Sequence, residues 1–71
     1  MYTAVAKDQH IRVIDMKTGA TKRLIKFNGT LVQGPVVGPD EFSISVRHSA
    51  SLMYVLIYSL PHGSLRRRIR V

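Results

Sequence analysis

Ile11 to Phe27 reads IRVIDMKTGATKRLIKF, and Val55 to Val71, 44 residues further along, reads VLIYSLPHGSLRRRIRV with no gap between the two. Gly19 falls on Gly63, Ile25 on Ile69, Lys22 on Arg66, Arg23 on Arg67 and Lys26 on Arg70. Upstream the match continues at a spacing of 40, where Tyr2-Thr-Ala-Val-Ala-Lys7 aligns with Phe42-Ser-Ile-Ser-Val-Arg47. The four-residue difference between the spacings predicts a longer loop at His48 to Met53. A period of about 40 to 45 residues made of short strands marks a repeat of small sheets, so the repeat decides the architecture before any single residue does.

Working outward, β-branched and aromatic residues come in short runs punctuated by Gly, Pro, Asn and Asp, which predicts strands. The expected strands are Tyr2 to Lys7, His10 to Met16, Ala20 to Phe27, a short Pro35 to Val37, Glu41 to Arg47, Met53 to Leu60 and Ser64 to Val71. A loop carrying Asn28, Gly29 and Gly34 precedes the short strand, and Gly38-Pro-Asp40 turns after it. No stretch has a 3.6-residue apolar period, so no helix is expected. Phe42, Ile44 and Val46 alternate with Ser43 and Ser45, which predicts one buried face. Met53 to Tyr58 is apolar throughout and predicts burial on both faces. In the last strand, alternation places Arg66, Arg68 and Arg70 on one side and Leu65, Arg67, Ile69 and Val71 on the other, with the apolar residues expected to face inward.

Lys17-Thr18-Gly19 and Pro61-His62-Gly63 each put Gly just before the third strand of a repeat, where a tight hairpin needs a residue tolerant of positive φ. Val13-Ile-Asp-Met-Lys-Thr-Gly19 and Ile57-Tyr-Ser-Leu-Pro-His-Gly63 resemble the V-x-V/I-[DY] core and Gly-bearing turn of WD-repeat and related propellers, without the Trp-Asp and Gly-His pairs of the strict WD signature. The resemblance implies an all-β chain of two antiparallel propeller blades, a three-stranded one over 1–27 and a four-stranded one over 34–71, in a single domain over 1–71. A small SH3-like barrel is the alternative fold.

Two blades do not close a ring, and propellers have about four to eight. A chain of 71 residues also buries only about 60% of its unfolded surface, and small domains make up the shortfall with disulfides, metals or oligomerisation. There is no Cys. Closure by homo-oligomerisation is therefore expected, with a six-bladed trimer favoured and a longer propeller polypeptide as the competing explanation; Met1 favours a natural start. MYTAVAKDQH lacks the basic-then-apolar order of a signal peptide, and the apolar run Leu52 to Leu60 contains Ser59 and is less than half a membrane-spanning helix. No membrane partner is expected, and the compartment is left open, with the cytoplasm or a particle assembled there as the expectation in the absence of an export signal.

The formal net charge is +7, and Lys22, Arg23, Lys26, Arg66, Arg67, Arg68 and Arg70 lie in the two outer strands. Such a belt favours an acidic protein surface, a larger assembly or nucleic acid, or else guards a strand edge against aggregation. Single-strand binders interleave basic residues with stacking aromatics. Here Tyr2, Phe27, Phe42, Tyr54 and Tyr58 sit in strand cores or at strand ends, which leaves only phosphate contacts.

Catalysis is not supported by the sequence. The only acids are Asp8, Asp15, Asp40 and Glu41, and adjacent carboxylates at 40 and 41 do not flank a substrate. His10 and His48 flank corresponding loops but have no third metal ligand at a recognisable spacing. Gly34-Pro-Val-Val-Gly-Pro39 lacks the Lys and Ser/Thr of a phosphate loop, and Asn28-Gly-Thr30 reads as a turn. The expectation is a non-enzymatic structural or interaction ring with no cofactor or metal and a partner-binding basic rim, such as an accessory component of a virus or phage particle. A basic nucleic-acid-binding protein is the alternative, and a carbohydrate-binding propeller the third.

Overall fold

The computed structural model describes residues 1–71 as seven strands and no helix. They are β1 (Tyr2–Lys7), β2 (His10–Asp15), β3 (Thr21–Lys26), β4 (Thr30–Val37), β5 (Glu41–Ser49), β6 (Leu52–Ser59) and β7 (Leu65–Arg70). All pairings are antiparallel. The strands form two separate sheets, β1-β2-β3 and β4-β5-β6-β7, each an open meander with two edges. No strand is shared between the two sheets, so their ladders do not close into a barrel.

The repeat is a repeat of geometry. The β2–β3 pairs Ile11↔Ile25, Arg12↔Leu24, Val13↔Arg23 and Ile14↔Thr21 recur as Val55↔Ile69, Leu56↔Arg68, Ile57↔Arg67 and Tyr58↔Leu65 in β6–β7, each shifted by 44. Both ladders carry a bulge at the same step, between Val13 and Ile14 and between Ile57 and Tyr58, which leaves Lys22 and Arg66 as the inserted residues. The turns match as well. Gly19 N–H donates to Asp15 C=O at 2.7 Å and Asp15 N–H to Ala20 C=O at 2.9 Å; Gly63 to Ser59 at 2.9 Å and Ser59 to Ser64 at 2.8 Å repeat the pair. Gly19 and Gly63 hold φ of 77° and 73°, where a Cβ would be strained.

Upstream, the structure departs from the spacing of 40. Tyr2 pairs with Asp15, whereas Ser59, the counterpart of Asp15, pairs with Glu41. Spatial equivalence in the first strands is thus 39, one residue from the sequence alignment. A bulge between Arg47 and Ser49 causes the slip, because it inserts His48 into β5 and moves the ladder by one residue. The expected loop at His48 to Met53 is mostly ladder: β5 continues to Ser49, β6 starts at Leu52, and Ala50-Ser51 alone turns. The corresponding β1–β2 turn is Asp8-Gln9, both at positive φ as a two-residue primed turn requires.

One core joins the sheets. Ala4, Ile11 and Val13 from the three-stranded sheet, with Phe27 after β3, meet Phe42, Ile44, Val46, Leu56, Tyr58 and Leu60 from the other. Phe42 and Tyr58 stack with centroids 5.1 Å apart, and burial raises the Tyr58 phenol pKa above its ordinary value. β4 is longer than the expected Pro35 to Val37, and the four-stranded sheet starts at Thr30, ahead of position 34. Its register slips twice, between Leu31 and Gln33 and between Gln33 and Val36, so Pro35 falls where no regular ladder bond is required.

Two burial expectations fail in the chain as it stands. In β6, Leu56 and Tyr58 are buried while Val55 and Ile57 are half-buried on the opposite face, so the strand is not covered on both sides. β7 is exposed at every position, Ile69 at 38% and Leu65 at 52%, and Val71 beyond it is exposed too. The bulge also puts Leu65 opposite Tyr58 and Ile69 opposite Val55, hence on different faces. The simple alternation of the last strand is broken at Arg66.

Candidate functional site

All seven basic rim residues are exposed, on β3 and β7, which are the outer edges of their sheets. Their chemistry differs. Arg66, thrown out of the ladder by the bulge, sends its Nη1 to Glu41 Oε2 at 3.2 Å and lies 3.8 Å from Asp40 Oδ2. It therefore does not form one row with Arg68 and Arg70. Arg68 lies over the half-buried Tyr54 ring, 5.1 Å from its centroid, and covers a face on which a base could have stacked. Lys22, Arg23, Lys26, Arg67, Arg68 and Arg70 form no salt bridge.

The histidines are engaged separately. His10 Nδ1 lies 3.0 Å from the Asp8 carbonyl in its own turn, and His48 meets the edge of Tyr54 at 5.5 Å. No three His, Cys, Asp or Glu side chains cluster in a metal-binding arrangement.

The register reveals a second kind of surface, the uncovered faces of the two sheets, on which Ile14, Val55 and Ile57 lie and from which Val13 is withdrawn into the core. Ile11, Val13 and Ile25 face the shared core, yet their counterparts Val55, Ile57 and Ile69 lie on the outward face of the four-stranded sheet. Conversely, Leu56 and Tyr58 face the core, while their counterparts Arg12 and Ile14 lie on the outward face of the three-stranded sheet. The sheets thus stack face to back: the front of the first meets the back of the second. One front and one back remain uncovered.

Both uncovered faces carry apolar side chains. On the three-stranded sheet, Val5 is 49% and Leu24 61% exposed, beside half-buried Ile14. They line a shallow hollow of about 360 Å³ with Lys7, Asp8, His10 and Arg12. On the four-stranded sheet, Val36 is 56% exposed beside Val55, Ile57 and Ile69. A hollow of about 280 Å³ there is lined by Val36, Val37, Ile57, Asp40 and Glu41, among others, and by no cation. Sequence alternation alone does not assign these residues to front or back, because the one-residue slip at His48 reverses which side of β5 corresponds to which side of β1.

Comparison of the chain with protein-family models, with curated proteins and with solved structures finds no match.

Proposed function

We propose that the chain is a non-enzymatic building block that assembles with copies of itself into a β-propeller ring, and that the ring docks through its basic rim onto an acidic protein surface or a larger assembly, such as a virus or phage particle. The observation that carries the reading is the face-to-back stacking. A sheet pair related this way, unlike a face-to-face sandwich, leaves surfaces of the same two kinds it has just joined, so further copies add in the same sense and form a ring where the rotation per copy closes. Exposed aliphatic side chains on both leftover faces supply the driving force, at about 25 cal/mol per Å² of apolar area removed from water. A trimer would have six sheets, within the range that closed propellers occupy.

The rim would then carry 3 × 7 = 21 cations, of which the arginine at 66 alone in each chain has an acidic neighbour. Cations without internal partners favour an acidic docking surface. With Tyr54 already covered by Arg68, nucleic acid would be held by phosphate contacts alone. Sedimentation equilibrium or native mass spectrometry at micromolar concentration tests the assembly, and the expected species is a closed oligomer of three chains. A folded monomer under those conditions would overturn the ring. Steep salt-dependent retention on nucleic acid, with none on acidic protein, would replace the docking partner by a nucleic acid.

A further inference from the structure

We infer that copies of the chain join head to tail: the outward face of the four-stranded sheet of one copy takes up the outward face of the three-stranded sheet of the next. This rests on the ring proposed above and adds the partner surface, its polarity and its register. The junction inside the chain serves as the template, because each leftover face is the repeat counterpart of one that is already joined. Val55, Ile57 and Ile69 would do between chains what Ile11, Val13 and Ile25 do within one.

A single contact shows the register. The backbone at Gly63 presses against Ile25 so closely that a Cβ there would lie 2.6 Å from Ile25 Cδ1. The counterpart of Gly63 is Gly19, around which nothing lies within 4 Å, and the counterpart of Ile25 is Ile69, which is 38% exposed. Glycine and isoleucine therefore meet once inside the chain, and the two matching halves stand open at opposite ends of the stack. Bringing Gly19 of one copy onto Ile69 of another completes both. Charge does not oppose the contact: Lys7, Asp8, His10 and Arg12 line one hollow, and Asp40 and Glu41, both already paired with Arg66, line the other.

A head-to-tail junction uses two different faces, and a contact between like faces uses one face twice. Leu24→Glu spoils the first face and Ile69→Glu the second, both at exposed positions where the fold of the single chain is not at stake. The wild type sedimenting as a closed oligomer tests the ring. With that in hand, each variant alone is expected to be monomeric, and an equimolar mixture to give a one-to-one dimer and nothing larger, because one intact junction remains. A single variant that still dimerises, or a mixture that stays monomeric, overturns the head-to-tail inference while leaving assembly established. Covalent capture gives a second measurement. A Cβ at Gly63 would stand 3.7 Å from Arg23 Cβ, within the span of about 3.5–4.5 Å that a disulfide bridges. The counterparts across the junction are Gly19 and Arg67, and the chain has no cysteine of its own. Gly19→Cys mixed with Arg67→Cys and oxidised should give mainly the 19–67 dimer, and predominance of 19–19 or 67–67 dimers would overturn the register. Circular dichroism checks that Gly19→Cys folds; if it does not, the glutamate pair decides the matter.

Discussion

The two sheets share one ladder and differ in what they place on it. β2–β3 and β6–β7 have the same pairs, the same bulge and the same glycine turn, 44 residues apart. The side of the four-stranded sheet that meets the core carries Phe42, Val46, Leu56 and Tyr58. The spatially equivalent positions on the open side of the three-stranded sheet are Thr3, Lys7, Arg12 and Ile14. One backbone thus supports a buried, aromatic junction in one place and a half-polar surface in the other.

The sharpest way to break this comparison is to truncate equivalent positions. Phe42→Ala removes a buried ring that stacks on Tyr58 and should cost about 3–5 kcal/mol, enough to unfold a domain this small. Thr3→Ala, at the equivalent position on the open face, should change chain stability by less than about 1 kcal/mol. Urea denaturation of both variants at a fixed chain concentration checks the pair. Equal losses would mean that the fold depends on the open face no less than on the core.

The glycines give a finer version. Both need positive φ, so alanine at either costs about 1–2 kcal/mol of backbone strain. Gly63→Ala adds a clash with Ile25 and should lower the thermal midpoint of the single chain further than Gly19→Ala, whose surroundings are open. Gly19→Ala should show its additional effect in the assembly, as weaker association at a given concentration. Ile69→Lys follows the same logic. With Ile69 exposed at 38%, its main consequence is expected in sedimentation, with only a small change in the melting of the isolated chain.

At the rim, the comparison is between cations with and without internal partners. Arg66→Gln removes two exposed ion pairs, each worth about 0–1 kcal/mol, and should leave docking nearly intact. Arg68→Glu with Arg70→Glu changes side chains that pair with Leu56 and Tyr54, on the side already stacked. Their reversal should preserve the ring but weaken retention on an acidic protein matrix, and wild-type retention should itself fall with salt as the Debye length contracts to about 3 Å at 1 M. Retention unchanged in the double variant would show the rim to be a solvated edge.

Most strand positions were legible in the sequence because β-branched runs and glycine turns report local backbone preference. β1 spans the expected residues, and the ends of β2, β3, β6 and β7 moved by one residue. What eluded the sequence was register. Tyr2, Ala4 and Ala6 match Phe42, Ile44 and Val46 in alternation, and each set does face the core, but His48 shifts the second ladder so that the sets are not spatial counterparts. A single bulged residue has no compositional mark, yet it inverts a face. The sequence pattern marks only Pro35 to Val37 of β4 because Gln33 and Gly34 interrupt it, and only pairing with β5 through two slips carries the strand across them. The rim residues were found by charge, whereas the open faces required the ladder.

The smallest expected effect lies at the buried junction itself. Tyr58 is buried, and burial disfavours its phenolate, so its folded pKa stands above the ordinary value near about 10. Between the unfolded and folded pKa values the folded chain holds a proton that the unfolded chain has released, and stability falls with rising pH there. The contribution is complete below the unfolded pKa and is lost as pH rises through the folded one. Tyr58→Phe keeps the ring stacked on Phe42 and removes the titrating group. Its stability should therefore decline less than that of the wild type between pH 9 and pH 11, about the range that brackets the ordinary phenol. Lysine titration contributes equally to both proteins, so the difference between their urea midpoints isolates this one group. If that difference stays constant across the range, the phenol is hydrated at its tip and the junction is wetter than its packing implies.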